Sequence, residues 1–262
     1  MKNLFLAVAL ALIGLTSCDF NTPQVDPIPQ EITYYSQHHY SQLVFNDVVS
    51  KVLEYTKLKV NNPTGTADPS GVVISAIEDG VMTIEFVETI SGNARLGKIK
   101  VTFTGDPLAV GSSMRIQPDG LTYSSMKVNG EIKIDILDKG TAKAKQAVAV
   151  IGGTITDIYT NVLSYSCNLT RTQNEGESNA VDTDDTFTYT GTANGSFGDK
   201  TSYFMTIDEP LVLPSGASYF KSGKVSMTPA LYSEPFVITF GKGQYANQVL
   251  LTYKGQSKLY NI

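Results

Sequence analysis

Tryptophan is absent from this 262-residue chain, and histidine and cysteine occur twice each. Two cysteines are too few for a disulfide-stapled scaffold or a cysteine zinc site. The two histidines are neighbours, His38 and His39, and leave little for a histidine metal site. Charge is also scarce, at 17% of residues against a usual ~25%. Its balance is acidic, 20 Lys and Arg against 25 Asp and Glu, which argues against nucleic acid as a partner. No G-x-S-x-G, H-E-x-x-H or Walker A pattern is present, and no motif calls for a cofactor. What the chain does have is 42% hydrophobic residues, enough for a sizeable core in one or two domains. That content excludes a wholly disordered chain.

The first residues read as an address. Lys2 precedes an apolar run, Leu4 to Leu15, broken only by Gly14. A dozen residues cannot span ~30 Å of hydrocarbon as a helix, so the run fits a secretory signal. It ends in Leu15-Thr16-Ser17-Cys18, which resembles the lipobox of bacterial lipoproteins. Small residues before the cut suit a peptidase. The resemblance implies that the Cys18 thiol accepts diacylglycerol and that cleavage between Ser17 and Cys18 leaves Cys18 as the acylated N-terminus. It implies an envelope protein held to a membrane, the outer membrane first, through its N-terminal lipid. The mature chain loses Lys2 and no acid, so its balance becomes 19 − 25 = −6.

Residues 18–37 read as a lipidated cysteine and tether. Pro23, Pro27 and Pro29 favour extended backbone through Asp19 to Glu31. Residues 38–262 form the expected β domain. Ser41 to Lys57 carries helical spacing, with Val44, Val48, Val52 and Tyr55 on one face. Beyond Asn61-Asn62-Pro63 the period changes to two. Met82, Ile84 and Phe86 alternate with polar neighbours. So do Ile99, Val101 and Phe103, then Ile132, Ile134 and Ile136. Near the end come Phe236, Ile238 and Phe240, then Val249, Leu251 and Tyr253. Strict alternation marks strands with one face buried, hence a mainly β, antiparallel fold, sandwich-like or an extended twisted sheet. Turns are expected at Asp79-Gly80, Ser91-Gly92-Asn93, Asp119-Gly120, Asn194-Gly195 and Lys254-Gly255. Asn129-Gly130 has the strongest hairpin chemistry. The polar stretch Thr172 to Asp185 reads as a long loop, the place where the domain divides if it has two halves.

Several blocks resemble a group of uncharacterised Bacteroidetes-type lipoproteins. These are Arg95-Leu96-Gly97-Lys98-Ile99, then Val128-Asn129-Gly130, then Tyr189-Thr190-Gly191 and Glu209-Pro210-Leu211-Val212, and last Phe240-Gly241-Lys242-Gly243. The resemblance implies an envelope lipoprotein of β structure and no known activity. The relatives' cysteines near these blocks are missing, so a family disulfide does not carry over.

Signals for chemistry are sparse. Ser124-Ser125-Met126-Lys127 matches S-x-x-K, and Lys221-Ser222-Gly223 matches K-[ST]-G. On a strand, Ser124 and Lys127 would point to opposite faces, so a serine-acyl site is not expected. Asp182-Thr183-Asp184-Asp185 lacks the glycine and terminal glutamate of a calcium loop and reads as solvated charge. Cys167 reads as a small buried hydrophobe. The 14 tyrosines suit strands, and also suit sugar stacking. Two readings follow: a non-catalytic binding or structural lipoprotein, and a glycan-directed hydrolase or glycan-binding surface protein. The protein or glycan partner is not specified by either.

Overall fold

A computed structural model describes residues 29–62, 68–87, 95–138, 144–175 and 185–262. The signal, Ser17, Cys18 and Ser91-Gly92-Asn93 lie outside these residues, as does Asp182-Thr183-Asp184. Among the described residues one helix, α1 (Gln30–Asn61), precedes thirteen strands. They are β1 (Val72–Ile74), β2 (Val81–Phe86), β3 (Arg95–Thr104), β4 (Ser113–Tyr123), β5 (Met126–Asp138), β6 (Lys145–Thr156) and β7 (Val162–Glu175). There follow β8 (Thr186–Ser196), β9 (Ser202–Pro214), β10 (Ser222–Pro229), β11 (Phe236–Phe240), β12 (Gln248–Tyr253) and β13 (Gln256–Asn261). Each strand pairs with the next, antiparallel, in one sheet ordered β1 to β13. β7 and β8 pair from Ser164↔Ser196 to Glu175↔Thr186, on either side of the polar stretch, most of which lies outside the described residues. Thr172 to Glu175 are strand rather than loop.

The alternating apolar residues named above do share the buried face, from Met82 and Ile84 through Ile132 and Ile134 to Val249 and Leu251. The other face carries threonine, lysine and glutamate. A single sheet cannot bury one face against itself unless it curls or something covers it. Here α1 is what it curls around. Helix residues reach β3 through Asp47–Arg95, β7 through Phe45–Tyr165, β9 through His38–Tyr203 and β11 through Tyr35–Phe240. From Glu31 to Leu53 no helix residue is exposed. At ~1.5 Å per residue the 32-residue helix is ~48 Å long, and most of it is sheathed.

The curl has a local cause. Register shifts interrupt the pairing at Leu96/Lys98, Asn129/Glu131, Tyr189/Thr192 and Ser222/Lys224. Each spans a glycine. Gly130, at φ +120°, shows why: a Cβ there would lie 2.7 Å from the Gly153 Cα. Such bulges bend a strand and tighten its twist. Asn129-Gly130 is therefore a bulge inside β5, not the hairpin its dipeptide suggested. Asp119-Gly120 and Asn194-Gly195 likewise lie inside β4 and β8. The β4–β5 turn is Ser124-Ser125, both residues left-handed at φ +49° and +69°. Lys254-Gly255 turns as expected, between β12 and β13.

The helix also starts earlier than its period suggested. Pro29 precedes it with extended backbone, Glu31 sits in the first turn, and Ile32, Tyr34 and Tyr35 enter the core. Residues 30–37, read as tether, are the first two turns of α1. A proline just before a helix and an acid in its first turn are favourable there.

Candidate functional site: the sheathed polar face of the helix

Between Tyr35 and Asn46, α1 presents polar groups to the interior. A helix wrapped on several sides buries residues that an ordinary amphipathic helix would leave wet. That is why the sequence neighbours His38 and His39 are both buried, although His38 meets β9 and His39 meets the β9–β10 connection. His38 Nδ1 lies 3.0 Å from the Tyr203 hydroxyl, and His39 Nε2 lies 3.0 Å from the Ser218 carbonyl. The carbonyl only accepts, so His39 Nε2 carries the proton and donates it. His39 stacks on Tyr35 and Tyr219, and His38 meets Tyr203 edge-on.

Burial governs the electrostatics. Desolvation, then the charge of His39, lowers His38 from 6.5 to about 3, with Gln42 acting weakly the other way. Desolvation lowers His39 to about 4, opposed by its bond to Ser218. Both rings are neutral at neutral pH. His38 Nε2, His39 Nδ1, both amide atoms of Gln42, and the Tyr35 and Tyr40 hydroxyls have no hydrogen-bond partner among the described residues. Such groups cost about 1–3 kcal/mol each when left so.

The face is framed by anchors. Tyr34 stacks on Phe197 at 4.1 Å and donates to Asp199 at 2.7 Å. Gln37 Oε1 accepts the Gly198 N–H, and Tyr232 donates to Glu31 at 3.0 Å. Phe45 presses on the sheet where Gly153 leaves room; a Cβ there would sit 2.7 Å from its ring. Asp47 takes a two-pronged bond from Arg95, which lies beside the Phe86 and Tyr123 rings. At the far end Lys59 pairs with Asp68, whose other oxygen accepts the Ile74 N–H of edge strand β1.

The other residues singled out from sequence are not brought together. Ser124 is exposed in the β4–β5 turn, and Lys127 is exposed at the start of β5. Lys221-Ser222-Gly223 lies at the opposite end of the strands, where β10 begins. Ser124 is thus a turn residue, not a strand residue, and the two halves of the acyl-transfer pattern are separated. Cys167 is buried on β7, and desolvation pushes its thiol up to about 11. It is un-ionised and sealed, as a small hydrophobe would be. Tyr35, Tyr165, Tyr189 and Tyr203 are core residues. Among the described residues no group of three His, Cys, Asp or Glu could hold a metal ion. Arg171 escaped sequence reading: it is buried, donates to Gln146 at 3.0 Å and lies 3.6 Å over Phe187. A lone arginine in alternating strand pattern carries no signal of burial.

No family model, curated protein or solved structure matches the chain.

Proposed function

We propose that the chain is a lipid-anchored envelope protein of the Bacteroidetes lipoprotein type, whose domain binds or builds rather than catalyses.

 The observation that carries this reading is the lipobox cysteine, Cys18, placed directly after the apolar run and eleven residues before Pro29, where the described domain begins. The site supports the non-catalytic half. Acid–base chemistry needs a group within ~3 Å of its proton and a pKa near the working pH. The two histidines are sealed and held neutral, and the thiol is buried. No helix among the described residues is long and apolar enough to cross a membrane, so attachment through the N-terminal lipid is the route this reading uses. A glycan-directed role has less support, because six of the fourteen tyrosines are core residues and just two of those described, Tyr159 and Tyr245, stand exposed.

The test is Cys18→Ala in the exporting cell. Radiolabelled fatty acid should no longer enter the protein, and the chain should leave the membrane in a carbonate wash. A variant that stays membrane-bound places the anchor elsewhere. β-Lactam and fluorophosphonate probes should leave Ser124 unlabelled; stoichiometric labelling by mass spectrometry would overturn the non-catalytic reading.

A further inference from the structure

The antiparallel order puts alternate loops at the same end of the sheet. Tyr123↔Met126, Thr156↔Val162, Ser196↔Ser202 and Met227↔Phe236 place the β4–β5, β6–β7, β8–β9 and β10–β11 connections together. The start of α1 is fastened to this end. Tyr34 binds Asp199 in the β8–β9 loop, and Glu31 binds Tyr232 in the β10–β11 loop. The chain therefore leaves the domain, toward Cys18, from among these loops.

The three most exposed large hydrophobic side chains among the described residues lie here: Leu231 at 79%, Tyr159 at 77% and Ile158 at 71%. They are presented by built loops. Asp157 accepts the N–H of Tyr159 at 2.8 Å and of Asn161 at 2.9 Å, which holds the β6–β7 tip in shape while its apolar side chains point out. The turn carrying Leu231 is closed by Tyr232 N–H to Pro229 and pinned to α1 through Glu31. Counted along the curled sheet, the two tips are four strand spacings apart, ~20 Å of strand-to-strand path, on either side of the β8–β9 loop that holds Tyr34.

We propose that this end of the domain rests on the membrane, with Ile158, Tyr159 and Leu231 dipping into the lipid interface. The inference rests on the lipid-anchor reading above and adds an orientation to it. Eleven residues from Cys18 to Pro29 reach at most ~40 Å, so an acylated Cys18 keeps this end near the bilayer. Tyrosine and branched aliphatic side chains suit the boundary between headgroups and acyl chains. Exposed Lys127, Lys200 and Lys254 share the end with Asp157, Asp199, Glu31 and Glu234. With the signs mixed, apolar insertion rather than attraction to anionic lipid supplies the contact, and zwitterionic bilayers suffice.

The absence of tryptophan makes the test clean. Three single variants of the mature chain from Cys18, Tyr159→Trp, Leu231→Trp and Tyr245→Trp, each carry one reporter. Tyr245 is 62% exposed and lies in the β11–β12 loop at the opposite end. Cys18 is coupled to a maleimide phospholipid in phosphatidylcholine vesicles; Cys167 is buried and does not compete. Acyl-chain-brominated lipid should quench Y159W and L231W at least about twofold more than Y245W. Equal quenching of all three, or no quenching at either tip while the chain is vesicle-bound, overturns the orientation. Intact mass of the protein from cells reads Cys18 acylation separately. An unacylated Cys18 removes the anchor reading, whatever the quenching shows, and the coupled chain still reports whether the tips meet lipid.

Discussion

Two regions reverse the usual distribution of polar and apolar groups, in opposite senses. Along α1, His38, His39 and Gln42 are buried with atoms that lack partners. At the loop end, Ile158, Tyr159 and Leu231 stand in solvent. A stray exposed leucine is ordinary, whereas a buried polar group or a cluster of exposed apolar tips is informative. The difference lies in what each region has to satisfy. The helix face is a consequence of wrapping: a sheet closed round a helix takes in whatever that helix carries. The tips are held outward by their own hydrogen bonds, so their exposure is built rather than incidental.

The wrapping itself is the first thing to break. Gly130→Val would force a side chain into the Gly153 backbone at φ +120°. We expect a loss of at least about 3 kcal/mol in urea unfolding, or no folded protein, because both strain and overpacking act there. A loss under ~1 kcal/mol would mean that the bulge does not set the curl.

Acid should open the helix face next. Both histidines are neutral in either state above pH 6.5. Below it the unfolded chain takes protons that the folded rings refuse until about 4 for His39 and about 3 for His38. The unfolded state then binds more protons, so stability falls as pH falls through this window, by about 1.4 kcal/mol per pH unit for each ring. The double variant His38→Gln, His39→Gln should flatten that slope between pH 6.5 and 4.5. An unchanged slope would assign the acid sensitivity to other groups.

A smaller effect has the opposite sign. Gln42→Met keeps the volume and removes a buried amide that meets the His38 side chain without a well-formed hydrogen bond, so thermal unfolding should report a gain of about 1–2 kcal/mol. A loss would show that the amide has a partner after all. The tips should respond least in solution. Replacing Ile158, Tyr159 and Leu231 by serine should change unfolding free energy by no more than ~0.5 kcal/mol each. If these substitutions destabilise the fold by several times that, the tips pack against something and are not a free surface.

Much of the sheet was legible in the sequence. Ile132, Ile134 and Ile136 alternate because one face of β5 is buried and the other is wet, and period two reports that directly. The misreadings share one physical root. Glycine at positive φ serves tight turns and bulges alike, so Asn129-Gly130 and Asp119-Gly120 looked like turns although the strands continue through them. The real β4–β5 turn uses Ser124 and Ser125, residues that seldom adopt positive φ, and so gave no sign. The early start of α1 was signalled by Pro29 and Glu31, but the upstream prolines made the whole stretch look extended. For the site, local pattern could say that His38 and His39 were adjacent. It could not say that both would be buried, because that depends on β9 and on the Ser218 segment, which lie more than 160 residues away.

The account turns on the sheet sealing the polar face of α1, and the protein has only two histidines with which to ask. An NMR titration of their ring protons from pH 8 to the edge of acid unfolding measures this directly. The account predicts that neither ring titrates above pH 5. A ring that titrates near 6.5 would put that side chain in water and contradict the sheathed helix.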